Sequence, residues 1–210
     1  MFYTDPPGPA LRLGDVVQGY LSAVPSIKSP AVPAAIDFHI GVEFPAFAAV
    51  LSPCCSIGHG TILLVPLTEL NPNFLLNPYW SEDFLRINEV MLPENSVPPQ
   101  SLRAMPEEKR IEHLGRGPAY AFVEFFVFGP SETFPEYELR RKQTTITLRH
   151  RMIDFRRVFR VDCGQILSPE NAPLETKLLQ LSAESRRALR DKYSKYIERT
   201  PKEDEIGLVA

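Results

Sequence analysis

The sequence predicts a mainly β (α+β) chain: a barrel or strongly bent antiparallel sheet with a helical insertion and a C-terminal helix. Three observations carry this. Short apolar or alternating runs bounded by Gly and Pro recur at 15–21, 37–44, 47–51, 61–67, 120–128, 143–149 and 152–161, the pattern of strands. Helical signals are confined to residues 70–118 and to the segment after Ser182. Proline is abundant, 21 of 210 residues, about twice the usual ~5%. Its clusters at 6–9, 25–33, 93–106 and 130–135 cut the chain into short pieces joined by irregular connections. That rhythm disfavours a parallel α/β sheet, which needs regular crossover helices.

The organisation read from these signals is one domain over residues 1–210. Its barrel strands lie in 13–69 and 119–162, a helical insertion occupies 70–118, and the C-terminal helix lies in 175–200. Residues 1–13 read as a poorly ordered lead-in. Gly14-Asp15 opens a strand, 15–21, with Val16, Val17 and Tyr20 as its apolar members. Residues 22–36, rich in Pro, Ser and Ala, read as a loop. Asp37–Phe44 alternates Phe38, Ile40, Val42 and Phe44 with Asp37, His39, Gly41 and Glu43, as a half-buried strand does. Pro45 ends it. Phe47–Leu51 and Thr61–Leu67 are short aliphatic runs that suit buried strands, and the loop between them carries Cys54, Cys55 and His59.

In the insertion, Ser81 ahead of Glu82-Asp83 predicts a helix N-cap, with the helix running to Met91. Pro106 opens a second short helix ending near Leu114. Tyr120–Phe128 (YAFVEFFVF) is the most aromatic run in the chain and predicts a buried strand. Gln143–Arg149 alternates into another, and Met152–Val161 completes the sheet with a bend at Arg156-Arg157. Ser182 caps a final helix on which Leu189, Tyr193, Tyr196 and Ile197 share one face, ended by Thr200-Pro201.

Charge and cysteine content bound the function. No apolar run approaches the ~20 residues that span a bilayer, and the first fifteen residues lack the pattern of a secretory signal. Three cysteines, two of them adjacent, make no disulfide framework, so a reduced, cytoplasmic protein is expected. The net charge is only −3, but residues 140–160 hold eight basic residues against one acid, Asp154. These are Arg140, Arg141, Lys142, Arg149, Arg151, Arg156, Arg157 and Arg160. Such a segment suits phosphate contacts with RNA or DNA, with Tyr137, Phe155 and Phe159 available for stacking. In one strand Arg149 and Arg151 would project together, and Arg156 and Arg160 likewise. The bland reading is a solvated face, or ion pairs with acids such as Glu107, Glu108, Glu136 and Glu138; Asp154 is expected to pair with one of its arginine neighbours.

Gly14-Asp15-Val16, the run Ala49-Val50-Leu51-Ser52, and Ile62-Leu63-Leu64-Val65-Pro66-Leu67-Thr68 together resemble the MazF/PemK-type endoribonuclease toxins over residues 13–69. The resemblance implies an SH3-like antiparallel β-barrel, metal-independent RNA cleavage without a cofactor, and an antitoxin-like protein partner. Thr68 matches a functional position of that family. The arginine the toxins carry before the central strand has no counterpart, since Phe44-Pro45-Ala46-Phe47 stands there. Cleavage on this reading uses Thr68 with Arg149 and Arg151 stabilising phosphate charge, and a family fold with a lost active site is the competing expectation.

Two further classes remain open. One is a non-catalytic module that binds a protein partner through Pro-rich loops and aromatic surface. The other is a thiol- or zinc-dependent enzyme at Cys54/Cys55, with His59 near in sequence and Cys163, His113 or His150 as further ligands. Zinc sites are usually built from spaced Cys/His pairs, and no C-x-x-C is present, so no metal is expected. His39 and Glu43 are rejected as an acid/base pair, because strand residues four apart are separated by ~13 Å.

Overall fold

The computed structural model describes residues 1–27, 38–53, 57, 61–76, 78–89, 106, 108, 122–141, 144–162 and 177–198. The chain is mainly β. Twelve strands are described: β1 (Tyr3–Thr4), β2 (Val16–Val17), β3 (Ser22–Ile27), β4 (Phe38–Glu43), β5 (Ala48–Val50), β6 (Thr61–Pro66), β7 (Phe125–Phe128), β8 (Tyr137–Arg141), β9 (Thr144–Leu148), β10 (Arg151–Asp154), β11 (Phe159–Asp162) and β12 (Lys177–Leu181). Two α-helices, α1 (Pro78–Ser81) and α2 (Ala183–Glu198), accompany them, with 3₁₀ turns at Pro72–Leu76, Phe84–Asn88 and Phe155–Arg157. Six strands form one sheet in the order β1-β12-β2-β5-β6-β11, and β7–β10, β3–β4 and β8–β9 are two-stranded. Each pair whose register is described is antiparallel.

The chain divides into two compact units, both discontinuous in sequence. One comprises 4–68 and 158–180 and holds most of the six-stranded sheet. Its core is aliphatic: Leu11, Val17, Ala48, Val50, Ile62 and Leu64. The Gly14-Asp15 step that opens it is structural. Gly14 sits at φ 82°, a conformation glycine adopts without steric cost, and donates its N–H to the Val50 carbonyl at 2.7 Å. Asp15 is fully buried and pairs with buried Lys177 of β12 at 2.7 Å. Lys177 Nζ also donates to the carbonyls of Gly8 and Ala10, both at 2.8 Å. This buried pair ties residues 8–12, β2 and β12 together, and removing either partner would strand the other charge. Ser52, two residues past β5, accepts the Leu63 N–H on its hydroxyl at 2.9 Å.

The other unit comprises 1–3, 69–157 and 181–210, and its core is aromatic. Phe74, Trp80, Phe84, Phe125 and Tyr137 pack with Leu70, Leu75, Ile87, Val127 and Leu139. Phe122 sets its ring edge-on to Phe74 at 4.8 Å and to Trp80 at 4.6 Å. Buried Asn88 serves as a strand partner for Val127, donating from Nδ2 to its carbonyl at 2.7 Å and accepting its N–H on Oδ1 at 2.6 Å. Ser182 caps α2, its hydroxyl accepting the Ser185 N–H at 3.2 Å. Tyr193 and Tyr196 of α2 pack on Phe155.

Several expected elements differ. The strand expected at 15–21 stops after Val17, because Gly19 takes φ 85°. Residues 22–27 form β3 rather than a loop. Pro25 stands inside it, which a two-stranded ribbon accommodates because each strand has an edge. The helix expected from Ser81 is a 3₁₀ turn capped by Asp83, whose carboxylate accepts the Leu85 N–H at 3.0 Å. The aromatic strand begins at Phe125, since Phe122 and Phe125 close a turn first. The expected helix at 106–114 lies largely outside the described residues. The bend expected at Arg156-Arg157 is the 3₁₀ turn that separates β10 from β11.

Candidate nucleic-acid interface

The segment 140–160 folds into elements with different partners, and this sorts its arginines. Tyr137–Arg141 and Thr144–Leu148 form a ribbon with Leu139 opposite Ile146, Glu138 opposite Thr147 and Arg140 opposite Thr145. Period-two alternation gives it two faces. Tyr137 and Leu139 are buried in the aromatic core, with Ile146 and Leu148 packed against it. Glu138, Arg140, Thr145 and Thr147 are exposed. Arg140 pairs with Glu138 at 2.9 Å. Arg149, just past the ribbon, pairs with Glu136 at 2.9 Å. Both pairs are solvent-exposed, a setting in which an ion pair contributes about 0.2–1 kcal/mol and breaks readily.

Arg149 also borders a shallow cleft of about 380 Å³ lined by Pro130, Glu136, Thr147, Leu148 and His150. His150 stands edge-on to Phe84 at 5.7 Å. Burial lowers its pKa below the ordinary imidazole value, against the opposing pull of Asp83, so the ring is neutral at pH 7. Arg149 Nε and His150 Nδ1 are enclosed and have no hydrogen-bond partner among the described residues. The cleft thus brings together a permanent cation, a carboxylate and an imidazole that burial holds neutral.

Arg151 does not share the setting of Arg149. Arg149 lies between β9 and β10, outside both ladders, whereas Arg151 opens β10 and pairs with Phe128 of β7. Arg151 is 7% exposed. Its guanidinium lies 4.6 Å from the Tyr137 ring centroid and 5.9 Å from that of Phe134, and donates to the Pro135 carbonyl at 2.7 Å. Thr68, half-buried just past β6, belongs to the aliphatic unit, whereas Arg149 and Arg151 belong to the aromatic one.

The remaining arginines separate likewise. Arg156 chelates Asp154 through Nε at 2.8 Å and an Nη at 2.6 Å, and lies 5.4 Å from the Phe125 ring. Partial burial raises the Asp154 pKa, but the hydrogen bonds from Arg156 outweigh it and hold the carboxyl below its usual range. Arg157 is exposed. Arg160 lies on β11 in the aliphatic unit and donates to Thr61 Oγ1 at 3.1 Å. Lys142 lies outside the described residues, as do Cys54, Cys55, His59, His113 and Cys163; of Arg141 the backbone is described, as the last residue of β8.

Sequence reasoning missed Lys192 of α2, which is 2% exposed. Burial brings its ammonium down to about 7, against the attraction of Glu124 and Glu89. It falls on the apolar face with Leu189, where its spacing marked it and its charge hid it. Among the described residues no group of three or more His, Cys, Asp or Glu side chains could hold a metal ion, and no helix is long and apolar enough to cross a membrane. Compared with known proteins, the chain matches no family model, no curated protein and no solved structure.

Proposed function

We propose that this protein engages RNA or DNA phosphates through the outward face of the β8–β9 ribbon and the Arg149 cleft beside it. The observation that carries this reading is the two-faced ribbon itself. Its apolar face is anchored in the aromatic core, so Arg140, Thr145 and Thr147 are presented on a supported surface that leads to Arg149. Cations and hydroxyls on a two-stranded ribbon suit phosphate contacts, and their exposed ion pairs can exchange a carboxylate for a phosphate at small cost. Arg141 and Lys142 follow next in the sequence.

In the toxin-like version of this reading the six-stranded sheet is the counterpart of an SH3-like barrel, and the chain acts in the cytoplasm. Of the two arginines considered for charge stabilisation, Arg149 fits the role better, because it borders an open cleft while Arg151 is enclosed.

The test is a titration of labelled single-stranded RNA, single-stranded DNA and duplex DNA at two salt concentrations. Salt-sensitive binding is expected, and Arg140→Ala should reduce the slope of log affinity against log salt by about 0.7–0.9. No binding even at low salt overturns the proposal. Where binding is found, loss of RNA cleavage in Arg149→Ala would add catalysis to it.

A further inference from the structure

Strand β4 carries apolar residues that stand exposed among the described residues. β3 and β4 pair with each other and, among the described residues, with no other strand. On β4, Ile40 is 71% and Val42 is 56% exposed, and Phe44 just beyond is 76% exposed. The residues opposite Ile40 and Val42 in the ladder are Pro25 and Ala23, also apolar. An exposed apolar strand with an open edge is a template for another strand.

The sequence of β4 specifies which strand fits. Consider two copies set antiparallel about a two-fold axis through Gly41. Ile40 then stands opposite Val42 of the partner subunit, His39 opposite Glu43 of the partner subunit, and Phe38 opposite Phe44 of the partner subunit. Glycine, the one residue without a side chain, sits on the axis. A slip of one residue places His39 against Val42 of the partner subunit and Phe38 against Glu43 of the partner subunit, mixing the two faces. A shift of the axis to Ile40 sets His39 against Gly41 of the partner subunit and leaves Glu43 without a histidine opposite. The register at Gly41 alone keeps apolar with apolar and sets imidazole against carboxylate, the cross-strand pairs that stabilise sheets. Within one chain His39 and Glu43 stand ~13 Å apart and cannot meet; across this axis they are neighbours.

We propose that the open edge of β4 joins two copies of this chain in a two-fold dimer centred on Gly41, extending β3–β4 into a four-stranded sheet. Such an interface is isologous, so each contact occurs twice. The experiment is sedimentation equilibrium of the full chain over about 1–100 µM, the range in which a modest interface declares itself. The expected mass is twice the 23.7 kDa of one chain. Ile40→Lys combined with Val42→Lys should return the single-chain mass. Glu43→Lys should weaken association by about tenfold or more, since it sets a cation against His39 of the partner subunit. The double variant His39→Glu/Glu43→Lys should restore it, because opposite charges again face across the axis. Thermal melts of each variant show that the fold persists, and the charge swap reads register even if the lysine pair perturbs folding. A single-chain mass at the highest concentration overturns the proposal. So does dimerisation unaffected by the lysine pair, or a charge swap no better than Glu43→Lys alone.

Discussion

The two ribbons of this chain, β3–β4 and β8–β9, are built on the same alternation and end in opposite situations. In β8–β9 the apolar positions Tyr137 and Leu139 are buried in an aromatic core, and the polar positions carry arginine, threonine and glutamate outward. In β4 the apolar positions Ile40 and Val42 are themselves exposed. Period-two patterning specifies that a strand has an apolar face. It does not specify what covers that face. The contrast teaches that a half-apolar strand is a statement about a needed partner, which the same chain supplies in one ribbon and another molecule is proposed to supply in the other.

The comparison breaks first on stability. Leu139→Ala should cost about 2–5 kcal/mol, the range for truncating a buried leucine, whereas Ile40→Ala should stay within about 0.5 kcal/mol in dilute solution, as exposed substitutions do. Urea unfolding of both variants measures this. Equal losses would mean that the β4 face is covered within the chain. Next in size is Arg151→Ala, which removes the guanidinium stacked on Tyr137 and leaves the Pro135 carbonyl without its donor. A loss of about 2 kcal/mol is expected. Arg151→Lys should recover little of it, because an ammonium cannot reproduce the planar stack.

Much of this was legible in the chain. Ser182 as a cap, the strands at 47–51 and 61–67, the bend at Arg156-Arg157 and the Asp154–Arg156 pairing are local features, set by residues adjacent in sequence. What was not legible depends on distant partners. β12 begins with a lysine and holds its place through Asp15, far away in sequence. Asn88 reads as an ordinary polar residue until Val127 is beside it. β8 was hidden because charged residues fill its outward positions, and only Tyr137 and Leu139 mark the inward ones. The arginines illustrate the same limit for the candidate site. Spacing suggested that Arg149 and Arg151 face one way, and what separates their settings is burial: Arg151 is enclosed over Tyr137, while Arg149 pairs with Glu136 at the surface. Glu136 and Glu138 were identifiable as acids that pair with the basic segment, but their particular partners were set by the ribbon's register.

The end of the basic ribbon also carries a pH dependence that the apolar ribbon's exposed residues Ile40 and Val42 do not. Burial lowers the His150 pKa below its ordinary 6.5, so the folded protein favours the neutral ring. Well above pH 6.5 the ring is neutral in both folded and unfolded chains and contributes no slope. As pH falls through 6.5 the unfolded chain takes up a proton that the folded chain resists, and stability drops until the folded pKa is passed. His150→Phe keeps a ring against Phe84 and should flatten this part of the profile of urea midpoint against pH. An unchanged profile would show that carboxylates alone set the acid limb.

The smallest effect on stability should separate the ribbons most sharply in function. Glu136→Gln breaks the exposed pair with Arg149 and should change stability by less than about 1 kcal/mol. It also removes a negative charge from the cleft and frees the guanidinium, so RNA or DNA should bind a few-fold tighter at low salt, and the gain should fade as salt rises. Arg149→Gln should shift affinity the opposite way, with a similarly small change in stability. Ile40→Ser, on the apolar ribbon, should leave single-site nucleic-acid affinity unchanged while weakening self-association. Opposite shifts from Glu136→Gln and Arg149→Gln, with Ile40→Ser silent, would assign phosphate binding to one ribbon and association to the other. If Glu136→Gln weakens binding, the carboxylate is serving to orient Arg149 for the phosphate, and the pair acts as a unit whose geometry outweighs its charge.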